Sequence, residues 1–260
     1  MTYECLIYDV KDRVATLTLN RPERLNALSD TLRDDFYDAL MKSAANPDVG
    51  VLVVTGAGRG FCSGGDVKTM GSRPVAAPLE KFSPKRDRII LAMQDCPKPI
   101  IAAVNGAAAG AGMNLAFACD MRLASSTAKF SQAFVKRGLH PDWGGTYFLP
   151  RIVGMAKACE LIFTGDSIDA AEALRLGIVN AVFSPEALME ETYKLAAKIA
   201  AGPAVAIQLA KRSLYHNQNV DLRAALEFET FAQNITRETE DSKEGAKSFV
   251  EKRPPVFKGK

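Results

Sequence analysis

The sequence predicts an α/β protein, strand-rich in its first half and helix-rich in its last, and three observations carry that prediction. Two continuous apolar runs of strand length, Val51-Leu52-Val53-Val54 and Pro99 to Val104, have the pattern of strands buried on both faces in a parallel sheet. Each empties into glycine and other small residues, TGAGRGFCSGGD after the first and NGAAAGAG after the second. From Gly144 onward, apolar residues recur at helical spacing in one segment after another.

The chain has 260 residues, 47% hydrophobic and 24% charged, the ordinary balance of a globular protein. A chain of this size buries roughly three quarters of its extended surface on folding, enough for one large domain with a small appendage and no disulfide staples. A formal net charge of +3 argues against general nucleic-acid binding. The cysteines are Cys5, Cys62, Cys96, Cys119 and Cys159. Their odd number and the lack of any C-x-x-C spacing argue against a disulfide framework or structural zinc, and point to reduced thiols in a cytoplasmic protein. Glu4 and Asp9 break the first apolar run, so no signal peptide is expected. The longest apolar stretch, Pro99 to Cys119, is interrupted by Asn105, Gly106, Gly110, Gly112 and Asn114, and no membrane span is expected there.

Element by element, Leu6 to Leu19 alternate as two short strands with Asp9 to Arg13 as their turn, and Asn20 to Arg24 end the hairpin. Ser29 is placed to cap a helix whose Leu32, Phe36 and Leu40 form one buried stripe, and Asn46-Pro47 stops it. Between the two buried strands, residues near Met70 to Ser83 combine prolines with no clear period, as a mobile surface loop bordering a site would. A small-residue helix is expected from about Gly110 to Ala118. Further helices are expected over Gly144 to Val153, Ala156 to Phe163, Ala170 to Leu176, Leu188 to Ala201, Ala204 to His216 and Leu222 to Ile235. Gly202-Pro203 divides a core over residues 1–202 from a C-terminal helical region over residues 203–260.

Neither glycine stretch fits a nucleotide loop. The first has Phe61 where the dinucleotide fingerprint needs a third glycine, neither is followed by Gly-Lys-Ser/Thr, and no Tyr-x-x-x-Lys pair accompanies the second. Both deliver a buried strand to small residues just where a helix starts, which leaves backbone N–H groups free. Two such donors converging from separate segments can stabilise one developing oxyanion; the plainer alternative is that the glycines only permit tight turns and close packing.

In VKRGLHPDWGGTYFLPR, Asp142 stands just before Gly144-Gly145 and a new helix. It either caps that helix, worth about 1 kcal/mol, or acts as a catalytic carboxylate whose basicity is raised by an apolar wall of Trp143 and Phe134. With His140 and His216 the only histidines, a histidine triad or zinc site has little to draw on. Cys62 and Ser63 lack a histidine at any recognisable spacing, so packing accounts for them better than nucleophilic attack.

LNRPERLNALS, GRGFCSGGDVKTM, PKPIIAAVNGAAAGAGMNLAFACDMRLA and PDWGGTYFLPRIVG, followed by FTGD, A-x-x-LGIVN and FVEKRPPVF, cover nearly the whole chain. In order and spacing this series resembles the enoyl-CoA hydratase/isomerase (crotonase) superfamily. The resemblance implies a spiral of ββα units with a C-terminal helical region making trimer contacts, and trimers pairing into hexamers. It implies an acyl-CoA thioester substrate, with coenzyme A a part of that substrate and no separate cofactor or metal. It also puts the two oxyanion donors on the amides of Gly65 and Ala111, in keeping with two converging backbone donors. CoA is expected along Arg24 and Leu25, its adenine near Cys62, Ser63 and Asp66, with Lys68 and Lys252 approaching phosphates, the latter across to a neighbouring subunit.

Two departures bear on the reaction. The paired glutamates of a typical hydratase match Asn114 and Phe134 here. Asn114 can orient a group but is no base at neutral pH, and Phe134 substitutes an aromatic wall for a proton carrier. Asp142 matches the position where isomerases of the family place a catalytic aspartate and an aryl-CoA dehalogenase its nucleophile. GAGMNLAFACD, FSQAF and GLHPDWGGTYFLPR resemble most the ring-epoxide isomerase of phenylacetyl-CoA degradation and related enoyl-CoA isomerases. The expected reaction is isomerisation of an unsaturated or ring-bearing acyl-CoA, with Asp142 shuttling the proton, Gly65 and Ala111 holding the enolate, Asn114 orienting the substrate and Phe134 and Trp143 flanking it. The alternatives are a hydratase with different water activation, a hydrolase or dehalogenase using Asp142 as nucleophile, and a non-catalytic acyl-CoA binder.

Overall fold

The structure is a computed structural model that describes residues 2–66 and 84–260. Lys68 and the expected loop from Met70 to Ser83 lie outside the described residues.

Strands β1 (Leu6–Lys11) and β2 (Val14–Leu19) form an antiparallel hairpin. Its turn is shorter than expected: Asp9 pairs with Thr16 and Val10 with Ala15, leaving only Asp12 and Arg13, at φ 50° and 64°. Two central residues at positive φ give the tight turn whose twist matches that of the flanking strands. Helix α1 (Asp30–Ala45) begins where Ser29 accepts the Leu32 amide at 3.1 Å, buries Leu32, Phe36 and Leu40, and ends at Asn46.

The apolar runs become β3 (Val51–Gly56) and β5 (Ile100–Val104), every residue of both buried. With β7 (Met121–Ser125) and β10 (Ala181–Phe183) they complete a six-stranded sheet of order β1-β2-β3-β5-β7-β10, parallel throughout from β2 onward. A second sheet of order β4-β6-β8-β9 uses three-residue strands: β4 (Gly60–Cys62), β6 (Ala107–Ala109), β8 (Lys129–Ser131) and β9 (Ser167–Asp169). The chain thus gives one strand to each sheet in turn, β3 then β4, β5 then β6, β7 then β8. Helices α2 (Pro84–Asp95) and α3 (Ala111–Ala118) follow the first two pairs. This repeat is the ββα spiral.

Alternation along β3 and β5 sorts their side chains to two cores. Leu52, Val54, Ile100 and Ala102 join the larger cluster, with Leu32 and Phe36 of α1 and Met113 of α3. Val51, Val53, Ile101 and Ala103 face the other way, onto Leu188, Ala196 and Ala200 of α7 (Leu188–Ala200). Before α7 come α4 (Gly145–Val153), α5 (Met155–Thr164) and α6 (Ala170–Arg175). After it come α8 (Ala204–Asn217), α9 (Leu222–Arg237) and α10 (Glu240–Val250), with Gly202-Pro203 separating α7 from α8. Helix α10 was not expected; its face is mostly polar and Gly245 interrupts it, but Thr239 caps it by accepting the Ser242 amide. Lys211 anchors α8 to the core, its Nζ 2.9 Å from Asp120 and donating to the Lys98 carbonyl at 3.0 Å. Among the described residues no helix is long and apolar enough to cross a membrane.

Candidate active site

The adjacent parallel strands β3 and β5 end side by side, so the two glycine-rich stretches emerge together. Two asparagines pin the first. Asn26, fully buried, donates to the Ala57 and Gly60 carbonyls at 3.0 and 2.8 Å; Asn105 donates to the Gly58 carbonyl at 2.9 Å and accepts the Gly56 amide at 3.1 Å. Past β4 the chain runs directly beside the 109–111 turn. A Cβ added to Gly64, which has φ +91°, would lie 2.7 Å from the Ala109 carbonyl oxygen and 3.4 Å from the Ala111 nitrogen. One added to Gly112 would run into the Cys62 carbonyl. Main chain therefore touches main chain, as only glycine allows.

Ala111 is the first residue of α3, behind a Gly110 cap that makes no side-chain capping bond. Its amide stands at the positive end of a buried helix. Among the described residues, neither the Gly65 nor the Ala111 amide donates to a backbone carbonyl. The structure thus brings together the two segments that carry the expected donors.

The facing wall is made of side chains. Phe134 is buried, its ring 3.5 Å from a Cβ built on Gly110. Asn114 lies on α3 three residues beyond Ala111, about one helical turn, and is fully buried. Its Nδ2 donates to the Asp142 carbonyl at 2.7 Å, and its Oδ1 accepts from Gln132 Nε2 at 2.7 Å. Asn114 thus orients the main chain of Asp142 and is itself held by Gln132. Gln132, 1% exposed, is the second member of this bracket; it lies in the quoted FSQAF run but carried no assigned role there.

Asp142 is half-buried, and its carboxylate is not a helix cap. Helix α4 starts at Gly145 behind Gly144 at φ 76° with no side-chain capping bond; only the Asp142 carbonyl takes part, accepting the Gly145 amide at 3.1 Å. The next residue, Trp143, is 5% exposed and at φ 53°. A bulky side chain in that region costs roughly 1–3 kcal/mol. The Arg33 guanidinium lies 5.9 Å from the centre of its ring.

Two closely packed backbone segments, tied through Asn114 to the Asp142 loop, form an arrangement that can serve acyl-thioester chemistry, and the comparison with known proteins decides the family. The enoyl-CoA hydratase/isomerase family model matches residues 9–260. The chain belongs to that family. A crotonyl-CoA hydratase of Syntrophomonas wolfei is 37% identical, with 99% of each chain covered. A 1,2-epoxyphenylacetyl-CoA isomerase of Escherichia coli is likewise 37% identical over 99% of each chain. The structure of an enoyl-CoA hydratase from Bacillus anthracis superposes with a TM-score of 0.94 at 33% identity, covering 99% of this chain and 100% of that one. The fold is the crotonase-type spiral that the sequence motifs imply.

Of the residues that the family resemblance assigns to CoA, three form one strip. Arg24 is exposed at the end of a short 3-10 turn (Pro22–Arg24), and Leu25 follows at φ 48°. Ser63 donates its hydroxyl to the Arg24 carbonyl at 3.2 Å and its amide to the Leu25 carbonyl at 2.9 Å. Asp66 is ion-paired with Arg21 at 3.1 Å. Cys62 is 0% exposed, so its side chain lines no open surface, and burial pushes its thiol up to about 12. Lys252 is exposed after α10, at φ 54°; among the described residues no hydrogen bond or ion pair joins its side chain to the Gly65, Ala111 or Asp142 segments. No three His, Cys, Asp or Glu side chains gather as a metal site requires, again among the described residues.

Proposed function

We propose that this chain isomerises an unsaturated or ring-bearing acyl-CoA by proton transfer through a single carboxylate. One observation supports this above all. Asp142 is fixed through its carbonyl to Asn114, one turn from the Ala111 amide, while the flanking positions 114 and 134 carry an amide and an aromatic ring in place of carboxylates.

In this reading the thioester oxygen accepts hydrogen bonds from the Gly65 and Ala111 amides, which acidifies the neighbouring C–H. The Asp142 carboxylate takes that proton, and the C–H electron pair passes into an enolate, or a dienolate when the acyl group is unsaturated. The same carboxyl then returns the proton at a different carbon, so the double bond moves and nothing is added or lost. Stabilisation of the enolate by each backbone donor is worth about 10²–10³ in rate. Phe134 and Trp143 supply flat apolar surface suited to a planar acyl group.

A second reading, hydration with water activated by Asp142, is favoured by the equal 37% identity to a crotonyl-CoA hydratase. The deciding experiment offers a 3-enoyl-CoA to the purified protein and follows the absorbance of the conjugated 2-enoyl thioester, with Asp142→Asn in parallel. Conjugated product that disappears in the variant supports the proton shuttle. Consumption of a 2-enoyl-CoA to a hydroxyacyl-CoA, with no isomerisation of straight-chain or ring-bearing substrates, selects hydration instead. Trapping an ester on Asp142 would point to a nucleophile.

Assembly as a trimer or hexamer through residues 203–260 belongs to the same proposal. Support comes from the exposed Leu214, Leu222, Phe231 and Phe249, between 56% and 86% accessible in the single chain. Light scattering on the purified protein tests it.

A further inference from the structure

At the opposite ends of the central strands of the large sheet lies a cavity that the acyl-CoA reading does not use. Arg13, Gly50 and Pro99, which line it, immediately precede β2, β3 and β5. The glycine-rich stretches of the candidate active site follow β3 and β5. A six-residue strand, about 20 Å long, therefore separates the two places.

The cavity has a volume of about 320 Å³, and it is lined by Arg13, Lys98 and Lys258 with no acidic side chain among the described lining residues. Lys98 is only 6% exposed. Its ammonium donates to the Ser43 carbonyl at 2.7 Å and to the Asn46 carbonyl, two of its three donors. Burial holds its pKa below the ordinary lysine value, and Arg13 pushes the same way, opposed by Cys96 and the exposed Asp48. Arg13 and Lys258 are exposed at its mouth, so the buried end is lined by Lys98 and the open end by two mobile cations that an anion can draw inward.

Two further features close the space. Helix α8, fourteen residues long, points its amino end into it from Ala204, behind Pro203, which supplies no side-chain cap. Its first amides carry the partial positive charge of a helix start. The segment at Lys258-Gly259 is drawn across by the buried carboxylate of Asp241, which accepts the Lys258 amide at 2.6 Å and the Gly259 amide at 2.8 Å. A Cβ on Gly259 would sit 3.3 Å from the Ala204 Cβ and 3.9 Å from Arg13 Nη2. The buried Asp241 carboxylate is thus engaged with backbone amides.

We propose that this cavity binds an oxyanion of the phosphate class, either inorganic phosphate or the phosphoryl group of a small ester, at the strand ends opposite the proposed acyl-CoA site. The site is independent of which reaction the chain catalyses.

The test titrates inorganic phosphate into the whole chain by calorimetry, at ionic strength held constant with chloride and with acetyl-CoA at saturation to fill the acyl-CoA site. Phosphate is expected to bind under these conditions, at least tenfold more weakly to Arg13→Gln, and unchanged to Asp142→Asn. Lys98 also ties off the end of α1, so its replacement is expected to unfold the chain, and Arg13→Gln and Lys258→Gln are the deciding variants. Absence of binding to the wild type overturns the proposal. So does binding that saturating acetyl-CoA abolishes, which would assign the phosphate to the CoA phosphate positions, or binding that neither variant weakens. A parallel titration with glycerol phosphate separates the two sources: binding tighter than inorganic phosphate identifies an ester, and weaker binding identifies the free ion.

Discussion

On the side of Gly65 and Ala111 the functional atoms belong to the backbone, held by main chain packed on main chain at Gly64 and Gly112. On the side of Asp142 the functional atom is a side chain on a loop, with Trp143 strained beside it and Asn114 gripping its carbonyl. The first wall cannot be altered without disturbing the packing of β4 and α3. The second can be rewritten one side chain at a time. Under the proposed mechanism this division separates two tasks: the backbone wall would stabilise the enolate, and the side-chain wall would set the fate of the proton.

The largest effect is expected on the side-chain wall. Asp142→Asn should lower kcat/KM for isomerisation by roughly 10²–10⁴ and leave the start of α4 intact, because the carboxylate caps no helix. A large loss of stability with little loss of turnover would reverse the assignment. Next, Gly112→Val strikes the backbone wall. It drives a side chain into the Cys62 carbonyl, and should cost about 1–3 kcal/mol by overpacking and about 10²–10³ in rate as the Ala111 amide is displaced. Full activity in a folded Gly112→Val protein would mean that the amide is not a donor.

Asn114→Leu joins the two walls. It removes one of the two hydrogen bonds to the Asp142 carbonyl, which keeps that from the Gly145 amide, and takes the Gln132 amide's partner, at about 1–3 kcal/mol, and should reduce kcat more than it changes KM. Asn114→Asp keeps an acceptor for Gln132 but supplies no donor for the Asp142 carbonyl, so it should rescue stability only in part. Away from both walls, Ser29→Ala should cost about 1 kcal/mol in unfolding free energy with unaltered kinetics. Smallest of all, a thiol reagent at pH 8 should leave Cys62 unmodified until denaturant is added. A thiol at about 12 is ionised to only about one part in 10⁴ at that pH, and this one is buried as well.

What the sequence revealed and what it hid have physical reasons. Val51 to Val54 and Ile100 to Val104 stand out because burial on both faces demands unbroken apolar runs. Ser29 was readable because a cap acts on its own helix, three residues away. The strands of the second sheet are three residues each, too short for any period to register. Asn26, Asn105 and Gln132 stand inside quoted motifs, but each also bonds to groups 18 to 49 residues distant, so their bracing roles cannot be read locally. Asp142 was left between a cap and a carboxylate because both uses favour an acid just before a helix; the Gly144 cap at φ 76° removes the first.

The alternation of successive strands between the two sheets also governs how the molecule opens. Removing β3 from the large sheet drags β4 from the small one, and β5 drags β6, so neither sheet can loosen by itself. Amide protons across both should therefore exchange with solvent together, through one rare global event. Those of α9 and α10, which pack chiefly on their neighbouring helices and each other, should trade with deuterium sooner, through smaller fluctuations at the far end of the chain.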